Sequence, residues 1–96
     1  MGPLSIFYLK RRSGPTRYGV TVSRKVRGAV QRNRVKRVLR ELCRSLDAQT
    51  KSHYDILILS RSEAKPGSFQ SLLRNYEKLL AKADLLSEPP EQEALH

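Results

Sequence analysis

The spacing of apolar residues changes near Ala29, and this change constrains the fold more than any other feature of the chain. Before it, residues 4–9 and 17–23 are rich in aromatic and β-branched residues, which is typical of strands. After it, apolar residues recur every three or four positions, which predicts an amphipathic helix from Ala29 to about Ala48. The chain therefore combines strands and helices.

The two early strands are predicted to pair as a hairpin, because Ser13-Gly14-Pro15-Thr16 between them supplies a turn. In the second strand Tyr18, Val20 and Val22 share one face, and the intervening residues are mostly polar. One face of this strand is therefore expected to be buried.

Residues 54–59 form a nearly continuous apolar run, which favours the middle of a sheet that is covered on both faces. Beyond the break at Pro66-Gly67, apolar residues at helical spacing from Phe69 to Ala83 predict a second long helix. The order strand, strand, helix, strand, helix predicts an α+β fold, an α/β sandwich with helices against one small central sheet. If the first helix joins parallel strands, handedness rules predict a right-handed crossover.

The length of 96 residues suits one small domain, which we assign to residues 1–86. Residues 87–96 are polar and acidic with no periodicity, and they are predicted to be a disordered tail. Cys43 has no partner for an internal disulfide and no metal-ligand spacing, so it is interpreted as a small residue at the edge of a buried helix face. The apolar run at residues 4–9 is too short to span a bilayer, and the expected location is cytoplasmic.

Positive charge is concentrated on the first helix and on the segment before it. Residues 10–44 contain 13 Lys and Arg residues and one acid, Glu41, whereas the rest of the chain has 6 basic and 8 acidic residues. Such a local field binds a polyanion through counterion release. Arginine outnumbers lysine here, and its planar guanidinium group grips phosphate bidentately or stacks on unpaired bases. The pattern favours a nucleic-acid partner.

A row of basic residues on a helix is often only a solvated face. In this helix, however, Glu41 is the lone acid, so Arg32, Lys36, Arg40 and Arg44 should repel one another along a single ridge. This repulsion lowers the stability of the helix, and no structural benefit offsets it. The pattern therefore favours a partner that neutralises the charges.

The side chains offer no catalytic cluster and no metal site. His53 and His96 lie far apart, and no Ser or Cys stands in a nucleophile context. Glu77 and Asp84 share a helical face but have no further ligand, whereas a metal-dependent nuclease needs several converging acids. We therefore predict no catalytic residue, no metal held by the protein alone, no small-molecule substrate and no membrane partner.

A denser pattern of residues runs through the basic helix and the loop before it. It consists of Ser23-Arg24-Lys25-Val26, Ala29-Val30, Arg32-Asn33-Arg34-Val35-Lys36-Arg37, Arg40-Glu41 and Arg44. This pattern resembles the signature of the protein subunit of bacterial ribonuclease P. The resemblance continues through the 54–59 strand, Arg61, Ala64 and the last helix, and it covers about residues 4–86.

The resemblance implies that the chemistry belongs to an RNA. In this family a large RNA removes the 5′ leader of precursor tRNA, and the small basic protein is an accessory subunit that cuts nothing itself. The implied partners are ribonuclease P RNA and precursor tRNA, with Mg²⁺ bound by the RNA subunit. Carried over by position, the RNA-binding residues are Arg24, Lys25, Arg32, Asn33, Arg34, Lys36, Arg37, Arg40 and Arg44.

The resemblance also implies that the single-stranded leader lies against the exposed face of the sheet. Phe7, Tyr8 and Arg61 are the candidate leader-binding residues, and the alternative is that both aromatic rings belong to the core. Bases stack on such rings with little dependence on sequence, which suits a factor that processes many tRNAs.

Three features of the family bear on this chain in particular. The family has an unusual left-handed crossover at the basic helix, which we adopt in place of the right-handed one. It normally has a helix before the first strand that helps to build the leader cleft, and this helix is expected to be missing here. Arg27 stands where the family has glycine, with Gly28 next, so the loop into the helix is expected to follow a different path.

A second hypothesis is a DNA-binding or ribosome-associated basic module that has no ribozyme partner. Reading of a major groove is disfavoured, because no short turn-linked helix precedes the basic one. Plain binding of structured RNA stays open from the sequence.

Overall fold

Three strands and two long helices make up the fold, and a computed structural model describes residues 3–62 and 68–87. In chain order the elements are β1 (Leu4–Lys10), β2 (Arg17–Val22), α1 (Ala29–Leu46), β3 (Tyr54–Ser60) and α2 (Phe69–Lys82). A short 3₁₀ helix, Asp47–Gln49, extends α1. The α+β class, the element order and the start of α1 at Ala29 are confirmed. The predicted break at Pro66-Gly67 lies outside the described residues.

The sheet has the order β1-β3-β2, with β3 antiparallel to β1 and parallel to β2. The 54–59 strand is therefore in the middle, as predicted. The predicted hairpin is wrong, because β1 and β2 do not pair with each other. Their connection crosses the end of β3 and is tied to it, since the Arg11 backbone N–H donates to the carbonyl oxygen of His53 and the Tyr54 N–H donates to Thr16 Oγ1.

The connection from β2 through α1 to β3 joins two parallel strands, so α1 is the crossover helix that the sequence predicted. The left hand of this crossover stays a prediction of the family resemblance. Turn chemistry between β1 and β2 could not reveal that β3 separates them, because strand insertion depends on residues about forty positions away in the chain. The most apolar strand buries more surface between two neighbours than at an edge.

The core lies on one side of the sheet. Ile56 and Ile58 of β3 are almost completely buried beneath α1 and α2, and they form one cluster with Leu39 of α1 and Leu80 of α2. On the other side of β3, Leu57 is 41% exposed. The prediction that this strand is covered on both faces is therefore wrong for the part of the chain that the structure describes, because both helices lie against the same face.

The apolar stripe of α1 packs as its spacing predicted. Its buried residues are Val35, Leu39, Leu42, Cys43 and Leu46. Each fully buried leucine contributes about 1.5–3 kcal/mol through removal of apolar surface from water. Burial raises the pKa of the Cys43 thiol to about 11, so the thiol is protonated at neutral pH. Cys43 is thus a small buried residue, as predicted.

The loop into α1 turns at a glycine. Gly28 has φ +89° at the N-cap of the helix, a conformation that L-residues rarely adopt. Arg27 is exposed and does not have a positive φ. The glycine conformation is therefore present in this loop, at position 28.

The end of the described chain is fastened to the fold. Thr50 and Leu86 form an isolated bridge, and the backbone N–H of Ser87 donates to the carbonyl oxygen of Gln49 at 2.7 Å. Ser87, which was assigned to the disordered tail, is therefore part of the folded structure. The rest of that predicted tail, residues 88–96, lies outside the described residues.

Candidate nucleic-acid interface

The exposed side of α1 carries basic side chains that form no ion pair within the described part of the chain. Asn33, Arg34, Arg37 and Arg40 are all exposed, and within residues 3–62 and 68–87 no hydrogen bond or ion pair engages their side chains. Opposite them lies the buried stripe of the helix, so these groups project away from the core. They are free to bind phosphate without first breaking a protein contact.

The four basic residues at i,i+4 spacing do not form one straight ridge. Each step of four residues turns about 40° around the helix, because successive residues are about 100° apart. Arg32 and Lys36 are consequently half-buried near the sheet side, whereas Arg40 and Arg44 are exposed. Glu41 pairs with Arg44, since Arg44 Nη1 lies 3.0 Å from Glu41 Oε1. Exposed pairs of this kind contribute little stability.

Arg32 is engaged by the protein itself. Its guanidinium group donates to three backbone carbonyl oxygens at the end of β2 and in the loop that follows it, at distances of 2.9, 3.0 and 3.1 Å. The acceptors are Ser23, Val26 and Val22, respectively. Arg32 therefore anchors the loop that carries the exposed residues Arg24 and Lys25, and its geometry differs from that of the free arginines on the same helix.

A shallow apolar groove of about 570 Å³ runs over the open face of the sheet. Phe7 and Gly19 are the register partners of Leu57 on the two flanking strands, so all three lie in one row across this face. A Cβ atom at Gly19 would lie 3.2 Å from Leu57 Cδ1, so the glycine leaves room for the leucine to lie over it. Phe7 is 55% exposed, which leaves its ring accessible.

One end of this groove is polar. Arg17 binds Asp55 bidentately, with Nε 2.8 Å from Oδ1 and Nη2 3.0 Å from Oδ2, and Arg11 Nε lies 3.7 Å from Oδ1. The hydrogen bond from Arg17 lowers the pKa of Asp55, and the carboxylate in turn raises the pKa of Arg17. Two guanidinium groups around one carboxylate leave positive charge at this end of the groove.

The three candidate leader-binding residues do not share one face of the sheet, although Phe7 and Tyr8 both border the groove. Phe7 is on the open face, so the alternative that it belongs to the core does not hold. Tyr8 pairs with the buried residue Ile56, so its ring lies on the helix side, where it meets Tyr54 edge to face at 6.4 Å. Tyr8 is nevertheless 49% exposed, so it is not a core residue either. Arg61 follows the far end of β3, roughly 13 Å along the strand from Leu57. It is half-buried, and its Nη1 atom has no hydrogen-bond partner among residues 3–62 and 68–87.

Sequence reasoning missed Leu9, Arg17, Asp55 and Leu57 as residues of this face. Strand alternation shows which residues share a face, but it does not show which face the helices leave open. The apolar character of Leu57 even pointed to the core. The placement of both helices on one side of the sheet decided the matter.

Neither a metal cluster nor a membrane span is found in the described parts of the chain. No group of three or more His, Cys, Asp or Glu residues there is arranged to hold a metal ion. The two helices are too short or too polar to cross a bilayer.

His53 Nδ1 lies within hydrogen-bonding distance of the Gly14 carbonyl oxygen, where it holds the β1–β2 connection.

Comparison with known proteins agrees with this geometry. The family model described as Ribonuclease P matches residues 2–84. The chain belongs to the ribonuclease P protein family. The ribonuclease P protein component of Clostridioides difficile is 35% identical over 83 residues, which is 85% of this chain and 73% of that relative. The one from Dehalococcoides mccartyi is 39% identical over 93 residues, 96% of this chain and 76% of that relative.

Solved structures of the ribonuclease P family share the fold. The RNase P protein of Staphylococcus aureus matches with a TM-score of 0.70 and 25% identity over 88% of this chain and 77% of that one. The RNase P protein of Thermotoga maritima matches in fold with a TM-score of 0.69, over 82% of this chain and 76% of that one, at 23% identity. The chain is thus an accessory protein subunit of the ribonuclease P endoribonuclease, with an RNA partner and a role in tRNA 5′ processing.

Proposed function

We propose that this chain binds the catalytic RNA of ribonuclease P through α1 and the loop before it, and binds the 5′ leader of precursor tRNA on the open face of its sheet. The observation that carries the proposal is the separation of two surfaces. One is the set of exposed basic side chains on α1 that have no acidic partner among the described residues. The other is an apolar groove with an accessible aromatic ring and a positive end.

The α1 surface suits the phosphates of a folded RNA. Guanidinium groups that are already free in water displace counterions from phosphate without losing an ion pair in the protein, so binding is favourable and strongly dependent on salt. Arg32 contributes indirectly, because it anchors the loop that carries Arg24 and Lys25. The residues proposed to contact the RNA are Arg24, Lys25, Asn33, Arg34, Lys36, Arg37, Arg40 and Arg44.

The sheet groove suits a single strand with unstacked bases. A base that stacks on an exposed ring such as Phe7 gains about 1–3 kcal/mol with little preference for sequence. The positive end at Arg17 would hold a phosphate of the same strand. In this arrangement Phe7 has the main role, since Tyr8 lies on the helix side and Arg61 lies at the opposite end of β3.

The protein supplies positioning, and the RNA subunit supplies the chemistry. Nothing in the described part of the chain brings acids together for a metal, and we assign Mg²⁺ to the RNA subunit. The proposed location is the cytoplasm, in keeping with a single buried thiol that has no disulfide partner.

The test is 5′ processing of a precursor tRNA by bacterial ribonuclease P RNA at low magnesium, with and without the purified chain. We expect faster processing with the chain, because the protein neutralises phosphates that otherwise need cations. Processing no faster than with RNA alone would overturn the proposal. Duplex DNA that competes as well as ribonuclease P RNA would favour the general basic module instead.

Two arginine variants test the assigned surface. Arg34→Ala and Arg37→Ala should each weaken binding of ribonuclease P RNA and reduce the salt slope of log K by about one unit. Arg74→Ala on α2 is the matched control, since Arg74 is also exposed but lies on a helix outside the proposed interface. If Arg34→Ala and Arg37→Ala have the same salt slope as Arg74→Ala, Arg34 and Arg37 do not contact RNA phosphates.

A further inference from the structure

A second groove lies on the helix side of the sheet, between the edge strand β2 and the last two turns of α1. It encloses about 400 Å³ and is lined by Tyr18, Val20, Arg40, Cys43, Arg44 and Asp47. This volume is within the range of about 300–1,000 Å³ that is typical of small-molecule and cofactor sites. Val20, Cys43 and the ring of Tyr18 supply apolar surface, and the exposed Arg40 and Arg44 supply positive charge.

Asp47 is an acid beside this basic surface, and its position is held by the protein. The Tyr18 hydroxyl donates to Asp47 Oδ1 at 2.6 Å. Burial and the bond to Asp47 raise the pKa of Tyr18, so the phenol keeps its proton at neutral pH and continues to donate. No hydrogen bond within the described ranges uses Asp47 Oδ2. A held carboxylate repels phosphate, but it accepts hydrogen bonds from amino groups.

We propose that this groove receives one unpaired, amino-bearing base of ribonuclease P RNA, with Asp47 accepting from the base and Arg40 and Arg44 binding the flanking phosphates. The inference rests on the proposed function, since it concerns the same RNA partner. Single-stranded bases are recognised by apolar or aromatic contact with the ring and by hydrogen bonds to the Watson–Crick edge. A carboxylate accepts from an amino group such as cytosine N4. Uracil, which has no amino group, is the base that this site should reject.

The two arginines fit the role in different ways. Arg40 has no ion pair within the parts of the chain that the structure describes, so it is ready to bind phosphate. Arg44 pairs with Glu41 in an exposed bridge, which a phosphate can replace at small cost. They stand one helical turn apart along the wall of the groove, so they can bind phosphates on either side of an inserted nucleotide.

The experiment combines chemical probing of the RNA with a charge-matched pair of variants. Base-specific reagents report the Watson–Crick edges of ribonuclease P RNA, free and bound to the full chain. An unpaired base bearing an amino group should be protected by the wild-type chain and by Glu77→Gln, and should react again with Asp47→Asn. Glu77 is exposed on α2, and its change adds the same charge away from the groove.

The affinity of the variants for RNA distinguishes a specific base site from attraction that depends on net charge alone. Removal of an acid strengthens a contact that depends on charge alone, so Glu77→Gln should bind RNA as well as the wild type or slightly better. Asp47→Asn should instead bind roughly five-fold more weakly, the fold-change expected for loss of a hydrogen-bonded base contact. Replacement of the protected nucleotide by uridine should cause a similar loss, and the two losses should not add.

The outcomes distinguish the two levels of the proposal. If Asp47→Asn behaves like Glu77→Gln and no base changes reactivity, the groove site is overturned, while acceleration of 5′ processing by the wild-type chain still supports the proposed function. If the wild-type chain does not bind the RNA at all, both the groove site and the proposed function are overturned. Asparagine can still accept the hydrogen bond from Tyr18, so the Asp47→Asn variant should fold. Probing with the wild-type chain does not depend on any variant, and if that chain protects no unpaired base, the groove site is overturned by this result alone.

Discussion

Arg32→Ala tests whether an arginine of the RNA-binding pattern stabilises the fold of the protein itself. The change removes three hydrogen bonds from the guanidinium group to the carbonyl oxygens of Ser23, Val26 and Val22. It also frees the loop between β2 and α1. Arg37→Ala on the same helix removes an equal charge from an exposed side chain.

The magnitude follows from the geometry. A hydrogen bond from a charged donor contributes about 1.5–3 kcal/mol, but these three share one half-buried side chain and water can partly replace them. We therefore expect Arg32→Ala to lower the free energy of unfolding by about 2–4 kcal/mol. This is a large share of the roughly 5–15 kcal/mol that is usual for a domain. Arg37→Ala should change it by no more than about 0.5 kcal/mol.

Urea unfolding measures the difference through the midpoint at an unchanged m-value. Arg32→Lys is the informative companion, because it keeps the charge but lacks the planar fork that reaches three carbonyl groups. It should remain clearly destabilised. If Arg32→Ala loses less than about 0.5 kcal/mol, or if Arg32→Lys is as stable as the wild type, the anchoring role is refuted.

Two further predictions concern the open face of the sheet. Asp55→Asn should destabilise the domain more at neutral pH than at low pH. Arg17 lowers the pKa of Asp55, so the pair stabilises the fold fully above the unfolded pKa of about 3.9, and this contribution is lost as the pH falls through the lower folded value. Urea unfolding at neutral pH and near pH 3 checks this, and an equal difference at both would contradict it. Phe7→Ala should weaken holoenzyme binding of precursor tRNA by about 1–3 kcal/mol and leave mature tRNA unaffected. Tyr8→Ala should have a smaller effect in the same binding assay, and equal effects would place the leader elsewhere.

Local periodicity was sufficient to predict the elements and the residues that α1 and β2 bury. The α1 stripe through Val35 and Leu39 and the inward row of β2 were predicted, because helical and strand spacing are properties of neighbouring residues. The central place of β3 was predicted from its nearly continuous apolar run. The concentration of positive charge on α1 was also visible, because net charge is set by composition and position along the chain.

Tertiary structure decided which of these residues are available. Only packing shows that both helices lie on one side of the sheet, which exposes Phe7 and Leu57 and places Tyr8 on the other face. Only packing shows that Arg32 anchors a loop, whereas Arg34, two positions later, is exposed and has no partner in the described part of the chain.

The sequence by itself thus determined the class of fold, the buried faces of α1 and β2 and the sign of the binding surface. The order of the strands, the open face of the sheet and the division of the arginines into structural and free ones came from contacts between segments far apart in the chain. Apolar burial favours compactness without specifying which face stays open, and a guanidinium group binds whichever acceptors the fold brings within about 3 Å.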